Sequence, residues 1–257
     1  MLPCSDMEKE LIYIFGKHAV EEALNHRPKL IKELYIELGF TDDKIFSKLN
    51  RLARVTPKVL NPKKLPGGLR GEAVHQGIIA GISVDDLMLS YKEFVQSIIP
   101  TTDTCFLILG EVQDPHNVGA VIRSAAAFGV TAVLIPPHNQ SPVTGTVVKV
   151  SAGMAFRIPL VEIRNVNATI HDLKERGFWI YGLAGEGATS LSEESFTKPT
   201  AFVLGNEGSG LRAKTRDACD ALISIPIHPR CESLNAAASV AVVLYAWNKE
   251  HPNSLLL

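Results

Sequence analysis

The sequence predicts an α/β protein in two parts. A small mixed α/β domain is expected over residues 10–84, a connector over 85–104, and a parallel-sheet domain with helices on both faces over 105–257. Three observations predict this. From Cys105 onward, short apolar runs alternate with segments of helical period, the order that builds a mostly parallel sheet covered on both sides. Two of those runs end abruptly in polar loops, at Gly205 and at Pro226, as strands do at the carboxyl edge of such a sheet. Ahead of Asp85 the chain has its own strands and a local concentration of basic residues.

In chain order, Leu11 to Phe15 (LIYIF) is expected as a strand ending at Gly16, and Ala19 to Leu24 as a helix stopped by Asn25 and Pro28. Ile31 to Leu38 is expected as a strand, because Leu34 and Ile36 alternate with charged neighbours. Asp42 and Asp43 then open a helix whose apolar residues Ile45, Leu49 and Leu52 recur at i, i+4 and i+7. Gln76 to Ile82 closes the first domain with a strand. Tyr91 to Ile98 reads as a helix, with PTTDT as the connector behind it.

In the second domain, strands are expected at Cys105 to Leu109, Val130 to Ile135, Ile158 to Ile163, Phe178 to Leu183, Ala201 to Leu204 and Ala221 to Ile225. Helices are expected at Val118 to Phe128, within Val143 to Ala152, at Ala168 to Glu175, just after Leu211, and from Ala236 onward. By periodicity alone this sheet is unknotted, since true knots are very rare.

The 257 residues are 46% hydrophobic with a formal charge of −1, a soluble globular composition with no overall basic excess. No apolar run approaches the roughly 20 residues that span a bilayer, so no membrane partner is expected. The four cysteines lack CxxC spacing and read as reduced thiols of a cytoplasmic protein. The eight histidines follow no metal-binding pattern, so no metal is expected. The amino terminus carries acids and little positive charge, unlike secretory or mitochondrial leaders.

The neutral total hides a local asymmetry. Lys44, Lys48, Arg51, Arg54, Lys58, Lys63, Lys64 and Arg70 fall in one stretch with no acidic residue among them. A single lysine there is an ordinary solvated charge. A tract of this length costs self-repulsion, and contact with phosphates relieves it.

Three stretches carry candidate chemistry. DPHNVGAVIRSAAAFG (114–129) follows a strand; in it Asn117 stands where a helix begins, as an N-cap or a substrate contact, and Arg123 shares a helix face with the small residues Ala120 and Ala127. AFVLGNEGSGL (201–211) runs a strand into three glycines around one carboxylate, Glu207, in GxxGxG and not the GxGxxG of dinucleotide folds. ISIPIHPRCESLNAAASVAVVLY (223–245) runs a strand into a proline-stiffened loop and then a helix with a polar first turn.

Together these stretches resemble the motifs N-x-G-x-x-x-R-x-A, L-G-x-E-G-x-G-L and I-P-x(6)-S-L-N of the SPOUT-class ribose 2′-O-methyltransferases, in the SpoU or TrmH-like branch. The resemblance implies a SPOUT-like catalytic domain with a carboxyl-terminal trefoil knot, S-adenosyl-L-methionine as cofactor, and a homodimer with the active site at the subunit contact. IFGKHAVEEAL and AVHQGIIAGI resemble the L30e-like RNA-binding domain of the ribosomal-RNA members, which transfer-RNA members typically lack.

The resemblance assigns catalysis to Asn117, Arg123, Glu207, Ser233 and Asn235, and the cofactor to Leu204, Gly205, Asn206, Gly210, Ile225, Ile227, Ser233 and Leu234. RNA contacts are expected from Lys17, His18, Lys58, Lys63, Lys64, Arg70 and His75. Pro229, and Ala236 to Ala238, depart from the third motif's usual glycine and Val-Ser-Val. The implied substrate is RNA, a guanosine of 23S ribosomal RNA. A transfer-RNA substrate and a non-catalytic RNA-binding protein are the alternatives, and the GxxGxG spacing disfavours a nucleotide-dependent oxidoreductase.

Overall fold

The computed structural model describes residues 11–52, 55–69, 75–185 and 188–256. Contacts divide the chain into two units, Met1–Met88 with Val143–Arg157, and Leu89–Pro142 with Ile158–Leu257.

In the first unit, β1 (Leu11–Phe15) leads into α1 (Lys17–His26), then β2 (Ile31–Ile36), α2 (Asp43–Leu52), the two-residue β3 (Lys58–Val59) and β4 (Ile78–Ser83). The strands form one sheet in the order β1-β4-β2-β3, with β4 antiparallel to both β1 and β2. Every residue of β4 is buried, which is why IIAGIS reads as a continuous apolar run, not an alternating one. Asp42 Oδ1 accepts from the Ile45 amide at 3.2 Å and so opens α2.

One face of this sheet carries a polar cluster. Glu33 accepts from Tyr13 Oη and Tyr35 Oη, each at 2.9 Å, and from Lys58 Nζ at 2.9 Å. Lys58, and after it the Tyr13 hydroxyl, hold the Glu33 carboxyl below the usual range, while burial and Glu33 push Tyr13 up to about 12. The basic tract therefore has counter-charges that lie elsewhere in sequence: Lys58 is answered by Glu33, and Lys48 by Glu21 at 2.5 Å.

In the second unit, β5 (Met88–Ser90) and α3 (Tyr91–Ser97) precede β6 (Cys105–Leu109), α4 (Pro115–Ala127) and β7 (Ala132–Ile135). Next along the chain is α5 (Gly145–Val150), which belongs to the first unit and lies against β1; a Cβ on Gly145 would sit 2.0 Å from the Tyr13 carbonyl oxygen. Also within that unit, Arg157 Nε donates to buried Glu22 at 2.7 Å. The second unit resumes with β8 (Leu160–Glu162), α6 (Val166–Glu175), β9 (Trp179–Leu183), β10 (Thr189–Ser190), β11 (Thr200–Leu204), α7 (Ala213–Ala218), β12 (Ala221–Ser224) and α8 (Ala236–Glu250).

The resulting eight-stranded sheet has the order β10-β12-β9-β11-β6-β7-β8-β5. The pairs from β10 through β8 are parallel. All five residues of β6 and all five of β11 are buried, and full burial of a large aliphatic side chain stabilises by about 1.5–3 kcal/mol. Phe106 stacks on Phe178 at 4.8 Å in the same core. The parallel sheet with helical cover agrees with the sequence expectation.

Two details differ from expectation. Asp114, not Asn117, caps α4, accepting from the His116 amide at 2.8 Å, and Pro115 occupies the first turn. The connector region contributes the edge strand β5. The last helix runs on to Glu250. Trp247 is fully buried and stacks on His251, so it is a core residue; Tyr245, 60% exposed, is not. No described helix is long and apolar enough to cross a membrane.

Candidate active site

The site forms where β6, β11 and β12 end. Leu204 pairs with Leu109 in register, so the two strands finish side by side, and the Gly110 amide donates to the Leu204 carbonyl at 2.7 Å. Beyond β11 the chain turns back on itself: Asn206 and Gly210 exchange two backbone hydrogen bonds at 2.9 Å each. A Cβ on Gly205 would lie 2.4 Å from the Gly210 carbonyl carbon, so only glycine closes this turn. Asn206 fixes the loop from inside: its Nδ2 donates to the Glu111 carbonyl at 3.0 Å, and its Oδ1 accepts from the Gly208 and Ser209 amides.

This loop, the loop after β12 and the start of α8 enclose a cavity of about 200 Å³. All eight residues expected to hold the cofactor line it: Leu204, Gly205, Asn206, Gly210, Ile225, Ile227, Ser233 and Leu234. Its walls are apolar at Leu183, Ile223 and Val243, with carboxylates at Glu207 and Glu232. An apolar slot with backbone polar groups at its rim and carboxylates beside it fits a ligand with a flat aromatic base and a cationic centre.

A chain of side-chain hydrogen bonds joins the three motifs. Asn117 Nδ2 donates to Glu207 Oε1 at 2.6 Å, and Asn235 Nδ2 donates to Asn117 Oδ1 at 2.9 Å. Asn235 Oδ1 in turn accepts from the Ala237 and Ala238 amides at 2.9 and 3.3 Å, capping α8. The polarity of this chain is forced, because an ionised carboxylate only accepts. Glu207 turns the Asn117 amide nitrogen toward itself, which leaves Oδ1 for Asn235. Asn235 must then donate with its nitrogen and present its oxygen to the helix. Asn117 is buried, whereas Glu207, Ser233 and Asn235 are exposed.

Arg123 stands apart from that chain. It is exposed on α4, and among the described residues no carboxylate pairs with it. Six residues beyond Asn117, it lies about 9 Å farther along the helix axis and about a third of a turn round.

Of the expected RNA contacts, Lys63 and Lys64 are exposed with no ion pair among the described residues, and His18 is exposed. Lys17 pairs with Asp42 at 3.3 Å and Lys58 with Glu33. His75 Nδ1 accepts from the Gly77 amide at 3.1 Å in the turn before β4. Arg70 lies outside the described residues. Among the described residues no cluster of histidine, cysteine and carboxylate groups could hold a metal.

The sequence reading missed Glu111. Its φ of 67° is rare for a non-glycine residue, its carbonyl anchors Asn206, and its carboxylate pairs with Arg212. No spacing rule points to such a residue; its only sequence signal is its place directly behind a strand.

Comparison with known proteins matches residues 104–245 to the SpoU rRNA Methylase family and residues 13–84 to the RNA 2′-O ribose methyltransferase substrate binding family. A 23S rRNA (guanosine-2′-O-)-methyltransferase, RlmB, of Vibrio cholerae is 36% identical over 250 residues, covering 93% of this chain and 96% of that one. The protein of the same name from Xanthomonas campestris is 37% identical over 244 residues, covering 93% and 96%. The crystal structure of the SpoU methyltransferase AviRb from Streptomyces viridochromogenes has a TM-score of 0.77 at 22% identity, covering 95% of this chain and 90% of that one. The A. aeolicus TrmH/SpoU tRNA modifying enzyme covers 61% of this chain and 79% of its own, with a TM-score of 0.53 at 22% identity.

Proposed function

We propose a reaction for this chain, which belongs to the SpoU rRNA methylase family: transfer of a methyl group from S-adenosyl-L-methionine to the ribose 2′-hydroxyl of a guanosine in 23S ribosomal RNA. The observation that carries this reading is the Glu207–Asn117–Asn235 hydrogen-bond chain, which ties all three motif loops together and shares Glu207 with the cavity wall. The 23S substrate is supported by relatives alike over 93% of the chain, and by the match of residues 13–84 to a substrate-binding family.

Bound in the cavity, S-adenosylmethionine would supply the methyl group as an electrophilic sulfonium substituent. The leaving thioether is neutral, so the protein needs no acid to protonate it. Its residues have two tasks: to align the ribose oxygen with the methyl carbon, and to ease loss of the hydroxyl proton. Asn117 and Asn235 hold Glu207 still at the cavity rim, and Ser233 and Asn235 orient the ribose. The part of Arg123 is to clamp the neighbouring phosphate with its guanidinium and lower the cost of the developing alkoxide.

The chain works as a homodimer in this reading. Ala238, Val242 and Tyr245 lie on the outer side of α8, with Val242 40% and Tyr245 60% exposed, and α4, which carries Arg123 and exposed Ala127, packs against it. A second copy covering this surface would bring the site to the subunit contact. Sedimentation at micromolar concentration is expected to read twice the chain mass, 2 × 27.9 kDa; a single-chain mass would refute the dimer.

A trefoil knot formed by the loops after β11 and β12 with α8 is part of this proposal. It is supported by those three segments lining one cavity. The first unit holds the RNA, with Lys63 and Lys64 among its exposed cations that have no ion pair within the described residues. Reversing both, Lys63→Glu with Lys64→Glu, should weaken RNA binding about 10-fold at 0.1 M salt and flatten its salt dependence. An unchanged salt slope would show that phosphates are held elsewhere.

A further inference from the structure

A second cavity, of about 190 Å³, lies at the carboxyl edge of the same sheet and shares Gly205 and Gly210 with the first. The ends of β6, β7, β8 and β11 converge on it. Its charged lining is predominantly basic. Arg164 and His138 are exposed, and among the described residues neither pairs with a carboxylate. Arg212 also lines it, and the one acid of the lining, Glu111, is engaged by Arg212 and by Asn139 Nδ2 at 3.3 Å. One guanidinium is thus left over, facing open space, and an anionic group is what it can hold.

The floor of this cavity is strained. Of the non-glycine residues with positive φ in the structure, Glu111 (67°) and Asn139 (55°) both line it. Residues held in this conformation are strained, and such strain clusters at sites which grip ligands. Glu111 also spans the two cavities: its carboxylate faces the second, while its carbonyl anchors Asn206, which lines the first. The remaining wall offers the ring of Pro137 and the amides of Asn165 and Asn167, a flat apolar face beside hydrogen-bonding groups.

We infer that this cavity is a second nucleotide subsite, which takes the nucleotide adjoining the methylated one, with its phosphate on Arg164 and its base against Pro137. The inference rests on the reaction proposed above, since the shared wall of Gly205 and Gly210 sets this cavity beside the one assigned to the cofactor, next to which the acceptor ribose must lie. A small anionic metabolite would satisfy the charge, but would have no reason to share a wall with the cofactor cavity. Arg164 here positions RNA and does not touch the reacting atoms.

The test compares the wild-type chain with Arg164→Ala and Arg164→Glu, using a 23S ribosomal RNA transcript and S-adenosylmethionine as probes. Arg164 is exposed and makes no ion pair among the described residues, so both variants should fold. For Arg164→Ala the expected result is an RNA dissociation constant and KM raised about 5- to 10-fold, with the slope of log affinity against log salt reduced by about 0.7, the value for one contact to a single strand. Arg164→Glu should weaken binding further, and cofactor affinity measured by calorimetry should stay within twofold in both. Unchanged RNA affinity and salt slope in both variants would overturn the subsite while leaving the reaction standing. A loss of cofactor affinity in Arg164→Ala would also overturn it, by assigning the residue to the first cavity. A wild-type chain that binds S-adenosylmethionine but methylates no RNA would overturn the reaction and the subsite together.

Discussion

Arg123→Ala is expected to lower methyl transfer by about 10²–10³-fold, the usual cost of removing one charged stabiliser of a developing oxyanion, while S-adenosylmethionine binding stays within twofold. The residue is exposed, outside the hydrogen-bond chain and absent from the cofactor cavity's lining, so neither folding nor the cofactor depends on it. Arg123→Lys separates the charge from the geometry of the clamp. A point charge at the same place restores part of a phosphate clamp's effect, and a lysine that recovers full activity would point to simple charge, not to the bidentate geometry of a guanidinium. Wild-type turnover in Arg123→Ala would remove the residue from the mechanism.

Asn235→Asp should be nearly as damaging to turnover, for a reason that a stability measurement cannot see. Aspartate is as good an N-cap as asparagine, so the cap on α8 and the melting temperature should hold. An ionised aspartate, however, cannot donate to Asn117 Oδ1. Asn117 must either face a second carboxylate with its oxygen or flip and abandon Glu207. With the chain broken, Glu207 is no longer held at the rim of the site, while the freed groups of exposed Glu207 and of the introduced aspartate turn to water; a loss of about 10²-fold in kcat is expected, as for a misplaced aligning group, with little change in cofactor affinity. Asn235→Ala, by contrast, should lose both the cap, about 1 kcal/mol, and turnover. If Asn235→Asp turned over normally, the polarity of the hydrogen-bond chain would be irrelevant to catalysis.

How much of this was legible in the sequence follows from the physics of each element. β6 and β11 are buried on both faces, so CFLIL and AFVL stand out as unbroken apolar runs, and the loops behind them are marked by glycine and polar residues. The edge strands β3, β5 and β10 have two, three and two residues, too few for any period to show. Asn117 reads as a cap because it is polar and precedes an apolar stripe, but Pro115 starts the helix earlier, and Asp114 takes the cap. That shift by one turn frees the Asn117 side chain to link Glu207 and Asn235.

The site itself divides the same way. The three motif loops are legible because each is contiguous, and the structure brings Asn117, Glu207 and Asn235 into direct contact across 90 and 118 positions of sequence. The basic tract shows why local reading overstates charge. Glu21 and Glu33 lie on α1 and β2, outside the tract, yet they neutralise Lys48 and Lys58, whereas Lys63 and Lys64 have no ion pair among the described residues. The second cavity left no trace in the sequence, because Glu111, His138, Arg164 and Arg212 each follow a different strand and meet only when the sheet forms.

The most direct test is to incubate the wild-type chain with methyl-labelled S-adenosylmethionine and either 23S ribosomal RNA or transfer RNA, and to map the label by resistance of the ribose to alkaline cleavage. The predicted result is stoichiometric label on one guanosine 2′-oxygen of the 23S RNA and none on transfer RNA. Label on a base, on transfer RNA alone, or nowhere in an RNA that the chain demonstrably binds would contradict it.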